Sequence, residues 1–529
     1  MTSPNVKAGK IWTAADREDG ADLECDVCIV GSGAGGAVTA SVLAEAGLSV
    51  VILESGGHYK REDFDLDERK AYTRLYQDRA LRTTADSAIT VLQGKSVGGG
   101  TTVNWTTCFR TPGRILEHWQ QAFGLDVLTE QALAPHFDHV EAQLSISPWI
   151  EALANENNRV IADGCAKLGW ESSVVNRNVL GCANSGYCGL GCPYDAKQGM
   201  LLTTIPKAIE AGAQLIPRAQ VQKLNVAKGR VQSVLAHVLH DQVDRPTGAT
   251  ITVRPTVTVL SGGALNTPAL LLRSGLNVSG RVGKRTFLHP VVSMIGRYKH
   301  RIDGYYGAPQ SITSHEFVDR GTDVGFFIET APLQPMLAAT AMMNFGPSQA
   351  AFMRTLPHMS GLLALLVDGL DPDARGGTVS LHADGRPKLD YDVSPPLIEA
   401  MKEAHYALAR IHLAAGATEA GTLHRNPIFI RDESELSRLE DASYGPFEHG
   451  IFSAHQMGGC AMSGSPDRGV VDTEHRVRGW DDLYVVDGSV LPTALGVNPS
   501  ETIYALAHRA ASRLVARRFE GSTVGESQE

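Results

Sequence analysis

The sequence predicts an α/β protein with two lobes, a discontinuous domain of parallel strands and a second lobe built on an antiparallel sheet. Two observations predict the first domain. A strand, a glycine turn, a helix and a second strand follow one another between Cys25 and Glu54, and strand-like and helix-like segments alternate again from Val253 to Arg273. A composition rich in Met, Leu, Phe and Pro between Arg297 and Ser443 predicts the second lobe. The length of 529 residues agrees, because it exceeds what one hydrophobic core usually supports.

The N-terminal unit is typical of a Rossmann-like dinucleotide-binding fold, since its turn has the spacing G-x-G-x-x-G. Gly31 permits the tight turn, Gly33 lets the backbone approach a pyrophosphate, and Gly36 lets helix and strand pack closely. Ala34 lies where the following helix offers free N–H groups and its positive dipole end to phosphates. Glu54, at the end of the second strand, can accept hydrogen bonds from ribose hydroxyls. The unit predicts an ADP-containing cofactor, either NAD or FAD.

A second glycine cluster, Gly98, Gly99 and Gly100, leads through Thr101 to Asn104. Successive glycines permit close backbone approach to a flat or anionic group, although a flexible loop into a helix has the same composition. Because this cluster accompanies the N-terminal unit, we expect it to face the same cofactor.

Three further segments are informative for the fold. The charged stretch Glu62–Arg82 predicts an excursion over the surface. Leu381–Pro387 contains a glycine-centred turn between extended segments, which predicts a hairpin in the second lobe. A cluster of flexible apolar side chains is consistent with either ordinary core or an adaptable apolar pocket; its members are Met336, Met342, Met343, Phe345, Phe352 and Met353.

Two segments near the C-terminus carry the reactive candidates. One begins at His455 and continues through Gly458-Gly459-Cys460, and the other contains Asn498-Pro499. Between them, Leu483–Ser489 predicts a strand that ends at Asp487 and the turn residue Gly488.

With these segments in this order, the chain resembles the glucose–methanol–choline (GMC) oxidoreductase family, whose members oxidise alcohols with FAD. The resemblance extends from about Asp26 to Arg513. Asn498-Pro499, followed by Thr502-Ile503 and Ala505-Leu506-Ala507, is most similar to the cholesterol oxidase branch, and the cysteine-rich segment described below is similar to long-chain alcohol oxidases. The resemblance implies FAD rather than NAD.

The family implies a role for each matching position. His455 resembles the active-site histidine, and Asn498 resembles its partner, which is Asn or His across the family. Asp487-Gly488 resembles the stretch that passes the flavin diphosphate and ribityl chain, Asn104 lies where the backbone comes close to the flavin ring, and Pro499 accompanies Asn498 at the cofactor. Several relatives attach FAD through a histidine shortly after the Asn104 loop. Phe109–Pro112 supplies none, which implies noncovalent FAD.

Glu329 is a third catalytic candidate, because Glu329-Thr330-Ala331-Pro332 is similar to a glutamate-containing stretch of the cholesterol oxidase branch. An acid before a proline-rich turn is equally consistent with a solvated side chain.

The chemistry of alcohol oxidation agrees with these roles. The hydroxyl proton must leave and the α-hydride must reach flavin N5, so the site needs a proton acceptor and a donor that stabilises developing alkoxide charge. Imidazole, with an ordinary pKa of about 6.5, and the NH₂ group of an amide provide these functions. We therefore predict FAD-dependent oxidation of an alcohol that is apolar, long-chain, aromatic or sterol-like, with oxygen or an unknown electron acceptor completing the cycle.

Cys182, Cys188 and Cys192 lie within a glycine-rich segment. A similar spacing occurs in flavin subunits of bacterial sugar dehydrogenases, where it is associated with a three-iron [3Fe-4S] cluster, and in long-chain alcohol oxidases with no such established role. An iron–sulfur cluster, free thiols and a disulfide therefore remain open. The first would make the protein an electron-transferring subunit, and a redox-neutral lyase of the hydroxynitrile type is a further alternative.

Charge and patterning exclude other classes. The formal net charge of −10, without a basic arm, argues against nucleic-acid binding. Met1–Glu24 lacks the pattern of an export signal, and no apolar run reaches the length of a membrane span, so we expect a cytoplasmic protein without a transmembrane segment. The expected division is an FAD-binding domain at 22–145, 195–290 and 445–517, a substrate-binding domain at 146–194 and 291–444, and a flexible tail at 518–529.

Overall fold

The computed structural model describes residues 9–321, 323–342, 345–371 and 374–525. Its largest sheet has eight strands. The parallel strands follow one another in space as Lys10–Ile11, Gln214–Ile216, Val50–Leu53, Ala21–Val30, Pro246–Leu260 and Leu483–Val485. Two antiparallel strands, Arg230–Leu239 and Ala219–Ala227, extend the sheet beyond Pro246–Leu260. We call this the parallel sheet.

Helices cover the parallel sheet, and for this reason its central strands are apolar on both faces. Val50–Leu53 is buried at every position. Helices Ala34–Glu45, Thr204–Glu210 and Ser500–Gly525 pack on one face through small and aliphatic side chains. The glycine turn leads directly into the first of these helices.

A second, seven-stranded sheet forms the other lobe. Its antiparallel strands are Gly325–Thr330, Met359–Val367, Val291–Arg297, Glu419–Thr422 and Phe429–Ile430, in that spatial order. Ile451–Ser453 joins at Val291 and runs parallel to Ile89–Val91. We call this the antiparallel sheet.

The antiparallel sheet is buried on both faces, and the alternation of side chains along Met359–Val367 shows how. Leu362, Ala364 and Leu366 belong to the core beneath the helices Glu156–Leu168 and Pro395–Ala414. Leu363 and Leu365 point the other way and belong to the core shared with the parallel sheet.

Three smaller sheets complete the strands. A four-stranded sheet has the order Pro387–Asp390, Gly377–Leu381, Lys284–Leu288 and Gln456–Gly458. The others are Thr107–Cys108, Asn176–Asn178 and Ile146–Pro148, and the pair Ile312–Thr313 and Ser173–Val174.

The remaining helices are Ala14–Arg17, Glu68–Leu75, Gly100–Val103, Gly113–Phe123, Glu130–Gln143, Gly263–Arg273, Pro335–Ala341 and Pro347–Thr355. Short 3-10 segments lie at Arg61–Asp63, Glu151–Leu153, Cys188–Leu190, Leu356–His358, Glu433–Leu439 and Gly488–Val490, and a left-handed turn at Gln77–Ala80. Among the described helices, none combines the length and apolar content that a bilayer crossing requires.

The predicted fold class is confirmed: a discontinuous α/β domain and a second lobe on an antiparallel sheet. The hairpin is also confirmed, since Leu381 pairs with Pro387, but it belongs to the four-stranded sheet rather than to the antiparallel sheet. The domain boundaries stay a prediction. Strands such as Ile89–Val91 and Ile451–Ser453 join the antiparallel sheet from segments assigned to the FAD-binding domain, and residues 518–525 are helical.

Two other expectations are corrected. Glu62–Arg82 is not only a surface excursion, because Leu75 and Tyr76 are buried and the stretch packs beside the glycine cluster. The cluster of flexible apolar side chains forms neither a deep core nor the wall of the main cavity. Phe345 is 86% exposed, whereas Phe352 and Met353 pack in a small cluster at the edge of the lobe. Met343 lies outside the described residues.

Candidate active site

A cavity of about 650 Å³ lies between the carboxyl ends of the parallel strands and the antiparallel sheet. Val30, Leu53 and Ser261, at or just after the ends of three parallel strands, line one part. Ligands of open α/β sheets bind at this edge, because the helix N-termini and the loops after the strands converge there. His455 and Asn498 line another part of the same cavity.

The first glycine turn lies against this cavity through Gly33 and Ala34. Glycine is required in this turn because one position has a positive φ and another has no room for a side chain. Gly31 has a φ of 103°, and a Cβ on Gly36 would lie 2.0 Å from the carbonyl oxygen of Gly31. Gly36 does not line the cavity; it lets the helix approach the strand. A Cβ on Gly35 would lie 1.8 Å from the carbonyl oxygen of Val486.

The second glycine cluster touches the first. A Cβ on Gly99 would lie 2.7 Å from the Cα of Gly33, and the N–H of Gly98 donates to the hydroxyl of Ser32 at 3.2 Å. Gly99 and Thr101 line the cavity, whereas Gly98 lies behind them. The two glycine segments therefore form one continuous backbone surface.

Glu54 lines this end of the cavity, but protein donors already occupy its carboxylate. Oε2 accepts from the N–H and hydroxyl of Ser32, at 3.0 and 2.8 Å, and Oε1 accepts from the N–H of Gly56 at 2.7 Å. Glu54 therefore braces the glycine turn in addition to any contact with a ribose.

Asp487 and Gly488 also line the cavity, and the Asp487 carboxylate has a structural task. It accepts from the N–H of Gly263 at 2.8 Å, from the hydroxyl of Thr267 at 2.6 Å, and from Ser489. These bonds fasten the strand end to the start of helix Gly263–Arg273. Burial raises the pKa of this carboxyl.

Asn104 ends the short helix Gly100–Val103 and lines the cavity between the glycine surface and His455. Its side-chain oxygen is buried and has no partner within the part of the chain that the structure describes, so it is available to a bound group. Its backbone carbonyl accepts from the buried ammonium of Lys197 at 2.6 Å, which also binds the carbonyls of Thr102 and Cys188. Burial lowers the pKa of Lys197 to about 8.

The three catalytic candidates meet at the other end of the cavity. The amide nitrogen of Asn498 lies 3.4 Å from Nε2 of His455 and donates to Oε2 of Glu329, also at 3.4 Å. Glu329 is fully buried beneath Asn498 rather than solvated. His455 and Asn498 line the cavity with Pro499, whereas Glu329 supports them from behind.

Burial determines the protonation of this group. It lowers the pKa of His455 to about 4, so the imidazole is neutral at pH 7 and able to accept a proton. It raises the pKa of Glu329 to about 8, so the carboxyl is predominantly neutral at the same pH. Oε1 of Glu329 and Oδ1 of Asn498 have no hydrogen-bond partner among the described residues.

Sequence reasoning missed two members of the site. Gln310 lines the cavity and joins Glu329, since its amide nitrogen lies 2.5 Å from Oε2. His289 is fully buried, with its Nδ1 3.0 Å from Nδ1 of His455. Both approach from positions remote in sequence, and no local motif marks them. The charged stretch interpreted as surface also contributes Tyr76 and Arg82 to the cavity wall.

Cys182, Cys188 and Cys192 are free thiols, each half-buried. The guanidinium of the buried Arg177 lies 3.6 Å from Sγ of Cys188. Within the residues that the structure describes, no group of three His, Cys, Asp or Glu side chains is placed to hold a metal ion. The iron–sulfur and disulfide interpretations therefore have no support in the structure.

Comparison with known proteins agrees with this geometry. Family models described as GMC oxidoreductase match residues 72–291 and 372–507, and one described as an FAD binding domain matches residues 24–62. An uncharacterized GMC-type oxidoreductase of Mycobacterium tuberculosis is 31% identical over 494 residues, which cover 93% of this chain and 76% of the relative.

Two further proteins extend the comparison. A long-chain-alcohol oxidase of Arabidopsis thaliana is 30% identical over 520 residues, covering 92% of this chain and 68% of the relative. The crystal structure of a pyridoxine 4-oxidase from Mesorbium loti superposes with a TM-score of 0.68 at 17% identity, covering 92% of this chain and 99% of that one.

The fold and the site are those of an FAD-dependent oxidoreductase. The chain belongs to the GMC oxidoreductase family. The described residues fit FAD, because one cavity joins a glycine surface suited to a diphosphate with buried, unpartnered polar atoms of Asn104 and Asn498.

Proposed function

We propose that the protein oxidises an apolar alcohol to its carbonyl compound with noncovalently bound FAD. The observation that carries the proposal is the meeting of His455, Asn498 and Glu329 at one end of the cavity. FAD, when bound, supplies the acceptor for the hydride that leaves the carbinol carbon. The remaining requirements of the reaction fall to side chains of this protein.

His455 is the proposed proton acceptor for the substrate hydroxyl. Its imidazole is neutral because burial lowers its pKa, and Nε2 faces Asn498 in the wall of the cavity. When substrate binds, the Asn498 N–H that otherwise faces Nε2 of His455 donates instead to the substrate oxygen, and this hydrogen bond strengthens as negative charge develops. Both residues thus act on one oxygen atom.

Glu329 supports His455 and Asn498 by remaining protonated. An ionised carboxylate beneath Asn498 would repel the alkoxide that forms as the hydroxyl proton leaves. Because burial raises its pKa to about 8, Glu329 accepts from Asn498 and Gln310 without adding negative charge at pH 7.

An apolar substrate is favoured by what surrounds this group. Val291 pairs with both Leu365 and Phe452, and Leu363 lies opposite Glu329 in the neighbouring strand. All four apolar side chains line the cavity. The name of the Arabidopsis relative, a long-chain-alcohol oxidase, agrees with an apolar substrate.

The test is anaerobic mixing of the FAD-loaded protein with primary alcohols of increasing length, an aromatic alcohol and a sterol. We expect loss of the oxidised-flavin absorbance, with the half-saturating concentration falling about fourfold per added methylene until the pocket is filled. A carboxylic acid of matched length should bind without bleaching. Admitting oxygen afterwards distinguishes an oxidase from a dehydrogenase.

Bleaching of the flavin by dithionite but by none of the alcohols would refute the proposal. Release of aldehyde from mandelonitrile without bleaching would favour a lyase.

A further inference from the structure

The register of one strand pair brings a second histidine against His455. Strand Lys284–Leu288 pairs antiparallel with Gln456–Gly458, and Leu288 lies opposite Gln456. His289 follows the first strand where His455 precedes the second, and the N–H of His289 donates to the carbonyl of His455 at 3.3 Å. The two Nδ1 atoms are consequently held 3.0 Å apart.

The contact between the two rings holds one proton. Burial lowers the pKa of both histidines, so each neutral ring carries a single N–H. Two protonated Nδ1 atoms at 3.0 Å would collide, and two bare ones would set lone pair against lone pair. One ring therefore donates to the other, and the direction determines which nitrogen of His455 is free to act as a base.

The orientations of the Gln310 and Asn498 amides on the opposite side assign that direction. In the structure the Gln310 amide has its oxygen 2.6 Å from the hydroxyl of Thr107 and its nitrogen 2.5 Å from Oε2 of Glu329. The same Oε2 accepts from Asn498. Because burial raises the pKa of Glu329 to about 8, this carboxyl is predominantly neutral at pH 7, and the oxygen that accepts twice is then its carbonyl oxygen, which leaves the proton on Oε1.

The Asn498 amide accordingly presents its NH₂ group to Nε2 of His455. Nε2 must then be unprotonated, and the single proton of His455 lies on Nδ1, where it faces His289. The proton of His289 is left on Nε2, which is buried and has no hydrogen-bond partner among the residues described. The ring of Phe327 packs against His289 in an edge-to-face arrangement, with the two ring centroids 5.3 Å apart and the ring planes inclined at 83°.

We propose that His289 is a positioning residue of this site. Its Nδ1 accepts a hydrogen bond from Nδ1–H of His455, which keeps Nε2 of His455 unprotonated and directed toward the substrate hydroxyl. The inference rests on the proposed function. When the hydroxyl proton moves to Nε2, the O–H bond breaks and His455 becomes an imidazolium whose Nδ1–H still donates to His289. His289 thus orients the base as a carboxylate does in hydrolase triads, without placing a negative charge beside the cofactor.

The first test needs no substrate. In FAD-loaded protein labelled with ¹⁵N-histidine, the His455 signals are identified by their absence from His455→Ala. We expect a protonated Nδ1 and a bare Nε2 on His455. A proton on Nε2 of His455 would overturn the proposal, whether or not any alcohol is oxidised.

The second test compares two substitutions by anaerobic flavin reduction. In His289→Asn, the side-chain oxygen reaches the place of Nδ1 and can accept the hydrogen bond from Nδ1–H of His455. The side chain in His289→Leu cannot accept it. We expect His289→Leu to lower the saturating reduction rate about 100-fold, with a shifted acidic limb of its pH profile and a nearly unchanged half-saturating concentration. His289→Asn should retain the rate to within about tenfold.

Equal loss in both variants, each with a wild-type flavin spectrum, would show that His289 acts by packing alone. If no alcohol of the panel reduced the flavin of the wild-type protein, the proposed function would be refuted. The histidine spectrum would still decide the position of the proton on His455. The spectrum of the wild type also decides the proposal if neither variant folds.

Discussion

The two ends of the cofactor cavity are built in different ways. At the glycine end, backbone forms the surface, and the polar side chains around it, Glu54 and Asp487, are occupied by protein donors. At the reactive end, side chains form the surface. Glu329 and Asn498 each retain a buried polar atom that no other described residue contacts by a hydrogen bond.

This difference reflects two tasks. A diphosphate is held by N–H groups and by close approach, for which a rigid and fully bonded frame is best. A reacting hydroxyl needs donors and acceptors that are still free when it arrives. Substitutions at the glycine end should therefore abolish cofactor binding, and substitutions at the reactive end should leave binding intact and slow the chemistry.

The largest effect is expected for Gly35→Ala. Its Cβ would lie 1.8 Å from the carbonyl oxygen of Val486, a backbone atom that cannot move alone. We expect a loss of about 3 kcal/mol or more and little flavin-loaded protein, measured as the ratio of flavin to protein absorbance. Gly450→Ala is the control, because Gly450 does not adopt a positive φ and its Cβ would lie no closer than 3.5 Å to a neighbouring atom. Equal flavin content in the two variants would contradict a backbone-built end.

His455→Ala should affect the reaction alone. Removal of the proton acceptor should slow anaerobic flavin reduction about 10²- to 10⁴-fold, while the visible spectrum of the bound flavin persists. Stopped-flow absorbance measures the rate, and the exposed His300→Ala is the control. If His455→Ala loses its flavin instead, the separation between the two ends breaks down.

Glu329→Gln should change how stability depends on pH, by a few kcal/mol between acid and pH 8. Burial raises the pKa of Glu329 to about 8, which is above the pKa of the same carboxyl in the unfolded chain. The contribution of this carboxyl to stability is therefore fully present in acid and is lost as pH rises toward 8, whereas glutamine suffers no such loss. Melting temperatures between about pH 5 and 9 should diverge in favour of the variant as pH rises. Exposed Glu62→Gln is the control, and parallel pH curves for Glu329→Gln and wild type would place an ionised carboxylate at the site.

The same contrast explains what sequence reasoning could predict. The glycine turn is local, since its strand, turn, helix and acid lie within one short segment, and the structure brings Gly33, Ala34 and Glu54 to the cavity. The placements of His455 and Asn498 were accessible through the family resemblance.

His289 and Gln310 were not accessible, because their positions depend on the register of strands far apart in the chain. The methionine-rich segment was a candidate for the apolar wall of the cavity, and the structure places other residues there for a similar reason. Composition shows where flexible apolar residues are, but the pairing of strands determines that Leu363 and Leu365 face the cavity instead.

The path of the chain between the two large sheets has a consequence for how such a protein can change. It leaves the parallel sheet after Leu53, visits the antiparallel sheet at Ile89–Val91, returns by Gln214–Ile216, leaves again before Val291, and comes back at Leu483–Val485. No single cut divides the gene into one piece for each lobe. A single crossover therefore cannot exchange the substrate-facing lobe as a module, and substitutions within a shared framework are the more direct route to new substrate preferences.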